Sequence, residues 1–389
     1  METIKLYDQD AYASSFEAQV LSCEQTEYKK KKAYAVVLEQ TLFFPEEGGQ
    51  SADTGSLNGK KVLDVRIKEN VITHYLEDAL AAGEKVTGVI DFPARFDKMQ
   101  QHTAEHIFSG LVKKHFGFAN VGFRLSALET TMDYDGFLSP EDIRLLEAKA
   151  NEAIWKNKEV HAWYPDPGTL SKMDYRSKIA LTGGVRIVEI PEVDLCACCA
   201  PHVARTGEIG ILKIVDAIHY KQGMRLTLLA GGRALQDYSL KHQSNTEISH
   251  LLSAKPYETL PAVKSQMTEA EKQKQASAEL EKKYIALLLE KIQPTDQNLI
   301  LFEDRLGNIA LRELANGLKE KTKGFCLVLS GEEDKGYKYI LTAGGKEVLQ
   351  ANQQLKEAFG ARGGGSKEMT QGSLQAGRKE LEAWFSSIV

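Results

Sequence analysis

At 389 residues, with 42% hydrophobic and 26% charged side chains, the chain has a globular composition and is too long for one hydrophobic core, so two or three domains are expected. No apolar run approaches the roughly 20 residues that span a bilayer, and Met1-Glu2-Thr3-Ile4-Lys5-Leu6 lacks a signal-peptide apolar segment. No membrane contact and a cytoplasmic location are therefore expected, and a formal net charge of −5 leaves any contact with an acidic polymer to a local basic patch.

Residues 1–95 read as antiparallel strands. Short β-branched or aromatic runs at 34–38, 62–67, 71–75 and 86–90 are separated by turn signals such as Lys68-Glu69-Asn70. A small β-barrel closes such a set. The run Lys29-Lys30-Lys31-Lys32 is either a solvated hairpin tip or a local basic patch.

Residues 96–232 read as an α+β domain. Met99, Thr103, Ile107 and Leu111 recur at helical spacing over 96–114, ahead of Gly117. Ser139-Pro140-Glu141-Asp142 signals a second helix: Ser139 caps, Pro140 fits the first turn and Asp142 completes a capping box. Strands return at 185–190, 209–215 and 224–229. Residues 233–293 form a helical arm or linker broken at Ser253-Ala254-Lys255-Pro256, its apolar stripe too interrupted for a long coiled coil. Residues 294–389 alternate strand and helix patterns and read as a glycine-rich α/β domain.

The cysteines are Cys23, Cys196, Cys198, Cys199 and Cys326. An odd number, three of them within four positions, suits a metal or thiol site better than a disulfide framework. In His102-Thr103-Ala104-Glu105-His106 two imidazoles lie at i and i+4 on one helical face, close enough to share an ion. Cys198-Cys199-Ala200-Pro201-His202 adds a thiolate and an imidazole four residues apart. Together the pairs make a tetrahedral N/S set, which zinc prefers. Cys196 or Cys199 reaches the same place by a modest loop shift. His-x-x-Glu-His also matches an inverted-zincin metallopeptidase, but that class takes an acidic third ligand rather than a Cys-x-x-x-His pair.

Two glycine motifs stand apart. In Phe44-Pro45-Glu46-Glu47-Gly48-Gly49-Gln50-Ser51-Ala52-Asp53-Thr54-Gly55 adjacent glycines allow close backbone approach, to a ligand or at a barrel corner, and Gln50 both donates and accepts. Gly363-Gly364-Gly365, between Arg362 and Lys367, lacks the Walker spacing and reads as a phosphate or RNA-backbone cradle or as a flexible loop.

Taken in order, these motifs resemble the editing half of alanyl-tRNA synthetase, and more closely its free-standing relatives, the long-form AlaX proteins. The matching residues are Phe44-Pro45, Gly48-Gly49-Gln50, Asp53, Gly55, Gln101 to His106, Cys198, His202-Val203, Thr206 to Gly210 and the glycine tail. The resemblance implies a hydrolase that acts in trans, without ATP or an aminoacylation domain, on serine or glycine wrongly esterified to tRNA(Ala). It implies Zn2+ on His102, His106, Cys198 and His202. Glu105 and Gln50 become the catalytic candidates, and Gly48, Gly49 and Thr103 the neighbours of the acceptor end. The last section resembles the DHH-associated RNA-binding domain, with Arg362, Gly363, Gly364 and Gly365 gripping the tRNA body or two copies pairing there. Where the synthetase has Cys-Gly-Gly-Thr-His, this chain has Cys199, Ala200 and Pro201 between the ligands, and Glu105 replaces a common threonine. A non-catalytic tRNA-binding protein with structural zinc is the alternative.

Overall fold

The computed structural model describes residues 2–177 and 184–388. It is mixed α/β, with contacts that divide it into two compact units, Met1–Ser244 and Asn245–Val389.

The first unit opens with six strands whose pairings close on themselves. Their order around the ring is Ser15–Tyr28, Lys31–Leu38, Val71–Leu76, Lys60–Lys68, Gly55–Leu57 and Lys85–Ile90, which pairs back to the first. Every pairing is antiparallel. Alternation does the sorting: in Lys85–Ile90, Val86 and Ile90 point inward while Lys85, Thr87 and Val89 face water. Val20, Val36, Leu38, Leu57, Val65, Ile72 and Leu76 fill the interior.

The chain leaves the barrel directly into helix α1, Phe92–Phe116. It starts four residues before the expected position because Asp91 caps it, accepting from Ala94 N at 3.2 Å, and Pro93 fits its first turn. Gly117, at φ 73°, ends it in the left-handed conformation. From Gln101 to Val112 every side chain is buried. A helix covered on all sides needs no polar face, so its polar residues serve inside the protein. Helix α2, Pro140–Trp155, carries the expected reciprocal capping box between Ser139 and Asp142, worth about 1 kcal/mol. Both helices pack on a sheet ordered Leu212–Tyr220, Gly223–Ala230, Thr130–Tyr134, Asn120–Leu125. A three-stranded sheet, His161–Trp163, Ile187–Ile190 and Asp194–Ala197, lies beyond α1 in the chain and presents its last strand to it.

In the second unit five strands run Leu299–Glu303, Phe325–Glu332, Gly336–Ala343, Met369–Leu374, Arg362–Gly365. The first pair is parallel and the rest antiparallel. Phe325, Leu327 and Leu329 pack toward the helices Leu349–Phe359 and Arg378–Ser386. Cys326 and Val328 point the other way, toward the helix Asn308–Lys319 and Ile285 of the helix Thr259–Lys291. A strand buried on both faces reads as a continuous apolar run, as Phe325-Cys326-Leu327-Val328-Leu329 does. Arg362–Gly365 is an exposed edge strand rather than a loop. A Cβ on Gly363 would stand 2.2 Å from Gln371 O, and one on Gly365 2.2 Å from Met369 O. Two of the three glycines are thus explained by close strand approach. Lys367 pairs with Glu347 at 2.9 Å. Among the described residues no helix is long and apolar enough to cross a membrane.

Candidate metal centre

The cluster assembles at the middle of α1, where the helix is covered by the glycine loop of the barrel on one side and residues 194–203 on another. His102, His106, Cys198 and His202 bring one donor atom each to within 4.8 Å of all the others. Cys198 Sγ lies 3.6 Å from His102 Nε2 and 3.3 Å from His202 Nε2. Zinc bonds to S and N at tetrahedral angles place those atoms about 3.6 Å apart. The donor set therefore fits a tetrahedral zinc ion.

What stands behind the imidazoles explains their aim. His102 Nδ1 donates to Gln50 Oε1 at 2.8 Å. His202 Nδ1 donates to Thr103 Oγ1 at 3.0 Å, while that hydroxyl donates to Met99 O at 2.7 Å. His106 Nδ1 faces Asp194 Oδ2 at 3.0 Å, an ion-pair contact off the line of a straight hydrogen bond. With each Nδ1 turned outward, all three Nε2 atoms are left for a shared ion, the arrangement that fixes tautomer and ring orientation in metal sites.

The anchors are themselves held. Arg176 grips Asp194 with Nε at 2.6 Å and Nη2 at 2.7 Å. Gln50 sits in a loop laid against the strand Asn120–Leu125, with Leu125 N donating to Gly49 O at 2.8 Å and Ser51 N to Leu125 O at 3.1 Å. A Cβ on Gly49 would meet Phe123 O at 2.3 Å, and both Gly48 (φ 61°) and Gly49 (φ 86°) occupy the left-handed region. The loop's far end is tied by Asp53, which accepts from Phe44 N at 2.8 Å and pairs with buried Arg95. Arg186 holds the cysteine loop through Cys198 O at 3.1 Å and Ala200 O at 2.9 Å.

The electrostatics favour a thiolate with two kinds of imidazole. Burial opposes ionisation of Cys198, but facing His102 and His202 outweigh it and hold the thiol well below its usual range. Burial raises Cys196 and Cys199 instead. Of the three clustered cysteines Cys198 is thus the one whose surroundings stabilise the anion a metal requires. Burial lowers His202 to about 3. It acts the same way on His106, where Asp194 and the Cys198 thiolate overcome it and lift the group to about 9.

Glu105 does not face solvent. It is fully buried, with Oε1 accepting from Ser109 Oγ and Asn120 Nδ2, each at 2.6 Å, and Ser109 in contact with Tyr134 OH at 2.7 Å. Oε2 lies 3.9 Å from His106 Nε2, on the side where the donor atoms converge. Gln50 and Thr103 stand behind the imidazoles rather than in an open cleft. Arg362 and Gly363–Gly365 belong to the second unit. Asp194 and Arg176 were not singled out from the sequence. Their only signal is that Asp194 lies four residues before Cys198, and nothing local marks either as an anchor.

Residues 185–227 match the family model "Threonyl and Alanyl tRNA synthetase second additional domain", and residues 2–94 match "tRNA synthetases class II (A)". The first match falls on the segment that carries Cys198 and His202, and the second on the barrel. The chain is similar over nearly its whole length to alanine–tRNA ligases and to an alanyl-tRNA editing protein, the resemblance that the motif order carries. It is 31% identical to the alanine–tRNA ligase of Methanoregula boonei over 95% of this chain and 41% of that protein. With the ligase of Ignicoccus hospitalis the figures are 26%, 93% and 40%. With the alanyl-tRNA editing protein Aarsd1 of Mus musculus they are 27%, 97% and 96%. The chain therefore spans about 40% of the length of the ligases it matches, and nearly all of the editing protein.

Proposed function

We propose that the chain hydrolyses the ester between alanine tRNA and a wrongly attached amino acid, serine or glycine, at a zinc site formed by His102, His106, Cys198 and His202. The observation that carries this reading is the outward anchoring of three Nδ1 atoms by Gln50, Thr103 and Asp194, which turns three Nε2 atoms and one thiolate onto a single point. The match to nearly the full length of the mouse editing protein supports a free-standing editing role. In this reading residues 96–232 carry the chemistry and 294–389 bind RNA or pair two copies.

When bound, the ion polarises an ester carbonyl or a neighbouring water, or holds the terminal ribose or amino group. The chain's own residues do the rest. Ser109 and Asn120 fix one oxygen of Glu105 and so set the carboxylate beside His106, where it takes a proton from attacking water or holds the substrate ammonium. Gln50 and Thr103 act by holding His102 and His202. The imidazoles are buried while Cys198 and Cys199 are half-buried, so the cluster meets solvent on the cysteine side. Cys199 Sγ lies 3.7 Å from where a Gly48 Cβ would stand, and the acceptor end enters there.

The test is to mix the purified, metal-replete protein with seryl-, glycyl- and alanyl-tRNA(Ala), before and after chelation, and follow loss of the ester. Metal-dependent loss of the serine or glycine ester with the alanine ester spared is the expected result. Four protein donors also make a closed set of the kind structural zinc uses. Tight tRNA binding with every ester intact would overturn the hydrolase reading in favour of a binding protein.

A further inference from the structure

The strands Ser15–Tyr28 and Lys31–Leu38 are joined by a two-residue turn, Lys29-Lys30, with φ of 51° and 64°. Such turns need both central residues in the left-handed region and favour Asn-Gly or Asp-Gly. The barrel's other two-residue turns comply better: Asn58-Gly59 has φ of 47° and 76°, and Glu69-Asn70 has 51° and 62°. Only at Lys29-Lys30 do both positions hold long side chains with no asparagine or glycine. The two neighbours on the returning strand, Lys31 and Lys32, are lysines as well, and all four are exposed.

Their surroundings keep the charge available. Lys29 Nζ stands 5.0 Å from the centroid of Tyr28 and Lys32 Nζ 5.3 Å from that of Tyr34, contacts that hold the stems over aromatic faces. Tyr28 packs on Tyr75 with centroids 5.3 Å apart. The nearby carboxylates of Asp64 and Glu46 are taken by Arg66, at 2.6 and 2.9 Å. Glu27, across the ladder from Lys32, is the acid closest in register. Among the described residues none of the four lysines forms an ion pair. A relay of contacts links the patch to the candidate centre: Tyr28 touches Arg66, Arg66 pairs with Glu46, and Glu46 precedes the Gly48-Gly49-Gln50 loop that holds His102.

We propose that Lys29, Lys30, Lys31 and Lys32, with Tyr28 and Tyr34, form an RNA-backbone contact that grips the phosphates of the substrate tRNA. This rests on the tRNA reading and adds to it the surface that receives the strand. Two cations on a turn built against its own conformational preference, with two more on the strand that follows, match the charge of a sugar-phosphate chain in a protein whose net charge is negative.

Two double variants test it in the full-length, metal-replete protein. Lys29→Asn with Lys30→Gly removes two charges and installs the preferred turn. Lys31→Gln with Lys32→Gln removes two charges and leaves the turn alone. Binding of deacylated tRNA(Ala) is measured from 50 to 300 mM salt, with thermal melting alongside. The first variant is expected to melt higher than wild type yet bind more weakly. Both should flatten the log K against log salt slope by about 1.5 and lose on the order of tenfold in affinity at 0.1 M salt. Wild-type slope and affinity in both variants, with wild-type protein binding tRNA, would overturn the hairpin contact alone and leave the lysines to a protein partner or to solvent. Failure of wild-type protein to bind tRNA at any salt would sink the tRNA reading and this contact together.

Discussion

His102, His106 and His202 differ in what holds them, and the difference makes their anchors separable by mutation. Gln50 touches His102 through one oxygen, so Gln50→Leu keeps the ligand but frees its ring. Zinc affinity, read by competition with a chromophoric chelator, is expected to fall roughly 10- to 100-fold, whereas His102→Ala should abolish stoichiometric binding. An unchanged affinity in Gln50→Leu would mean that ring orientation is set by packing against Phe123, whose centroid is 4.7 Å away. Glu105 presents the opposite case. Glu105→Gln keeps an acceptor for Ser109 and Asn120 and preserves volume. Zinc content and melting should stay near wild type while single-turnover deacylation drops by about 10²–10⁴. A melting point that falls in step with the rate would instead make Glu105 a structural group.

At the scale of single elements, the barrel carries a pH-sensitive member of its own. His74 lies on Val71–Leu76 with Nε2 2.9 Å from Thr41 Oγ1 and Nδ1 3.3 Å from Val36 O. Burial lowers it from 6.5 to about 4, against the opposing pull of the Val36 carbonyl. The folded state then binds fewer protons than the unfolded chain between those values. Its stabilising effect is complete above about pH 6.5 and is lost as pH falls toward 4, by about 3 kcal/mol. Urea midpoints at pH 7 and pH 5 should therefore differ more for wild type than for His74→Gln. Equal drops in the two proteins would assign the acid sensitivity elsewhere. Elements also show where the sequence was readable. The capping box at Ser139, the turn before Lys31 and the i, i+4 histidines are local, and local spacing exposes them. The spacing gives helix α1 an amphipathic stripe through Met99, Thr103, Ile107 and Leu111, but the helix is buried on every side from Gln101 to Val112, so period alone does not reveal that Glu105 points into protein. Asp194 carries no local signal because its partner, His106, lies far away in the chain, and Arg176 acts only through Asp194. The glycine tail reads as a phosphate or RNA-backbone cradle or as a flexible loop, and not as a strand, because glycine is rare inside strands. Here its strand neighbours approach too closely for any Cβ at Gly363 or Gly365.

At the scale of the whole chain, the four candidate ligands all fall within Met1–Ser244, while Phe325–Glu332 and its neighbours build a separate core. His102 and His106 come from α1, and Cys198 and His202 from the segment after Asp194–Ala197, so an ion bound there ties together stretches nearly a hundred residues apart. A ligand that binds only the folded state adds about 4 kcal/mol when present at a thousand times its dissociation constant, and that stabilisation belongs to the unit that holds it. Chelation should therefore strip hydrogen-exchange protection from Phe92–Phe116 and Asp194–Ala197 while Phe325–Glu332 and Gly336–Ala343 keep theirs. Calorimetry should show one transition moving to lower temperature and another holding still. If protection collapses in both sets of strands at once, the two units unfold as one cooperative block and the ion stabilises the entire chain. If neither set changes, the cluster is held by Gln50, Thr103, Asp194 and Arg176 without help from a metal, and the case for zinc as a folding component fails.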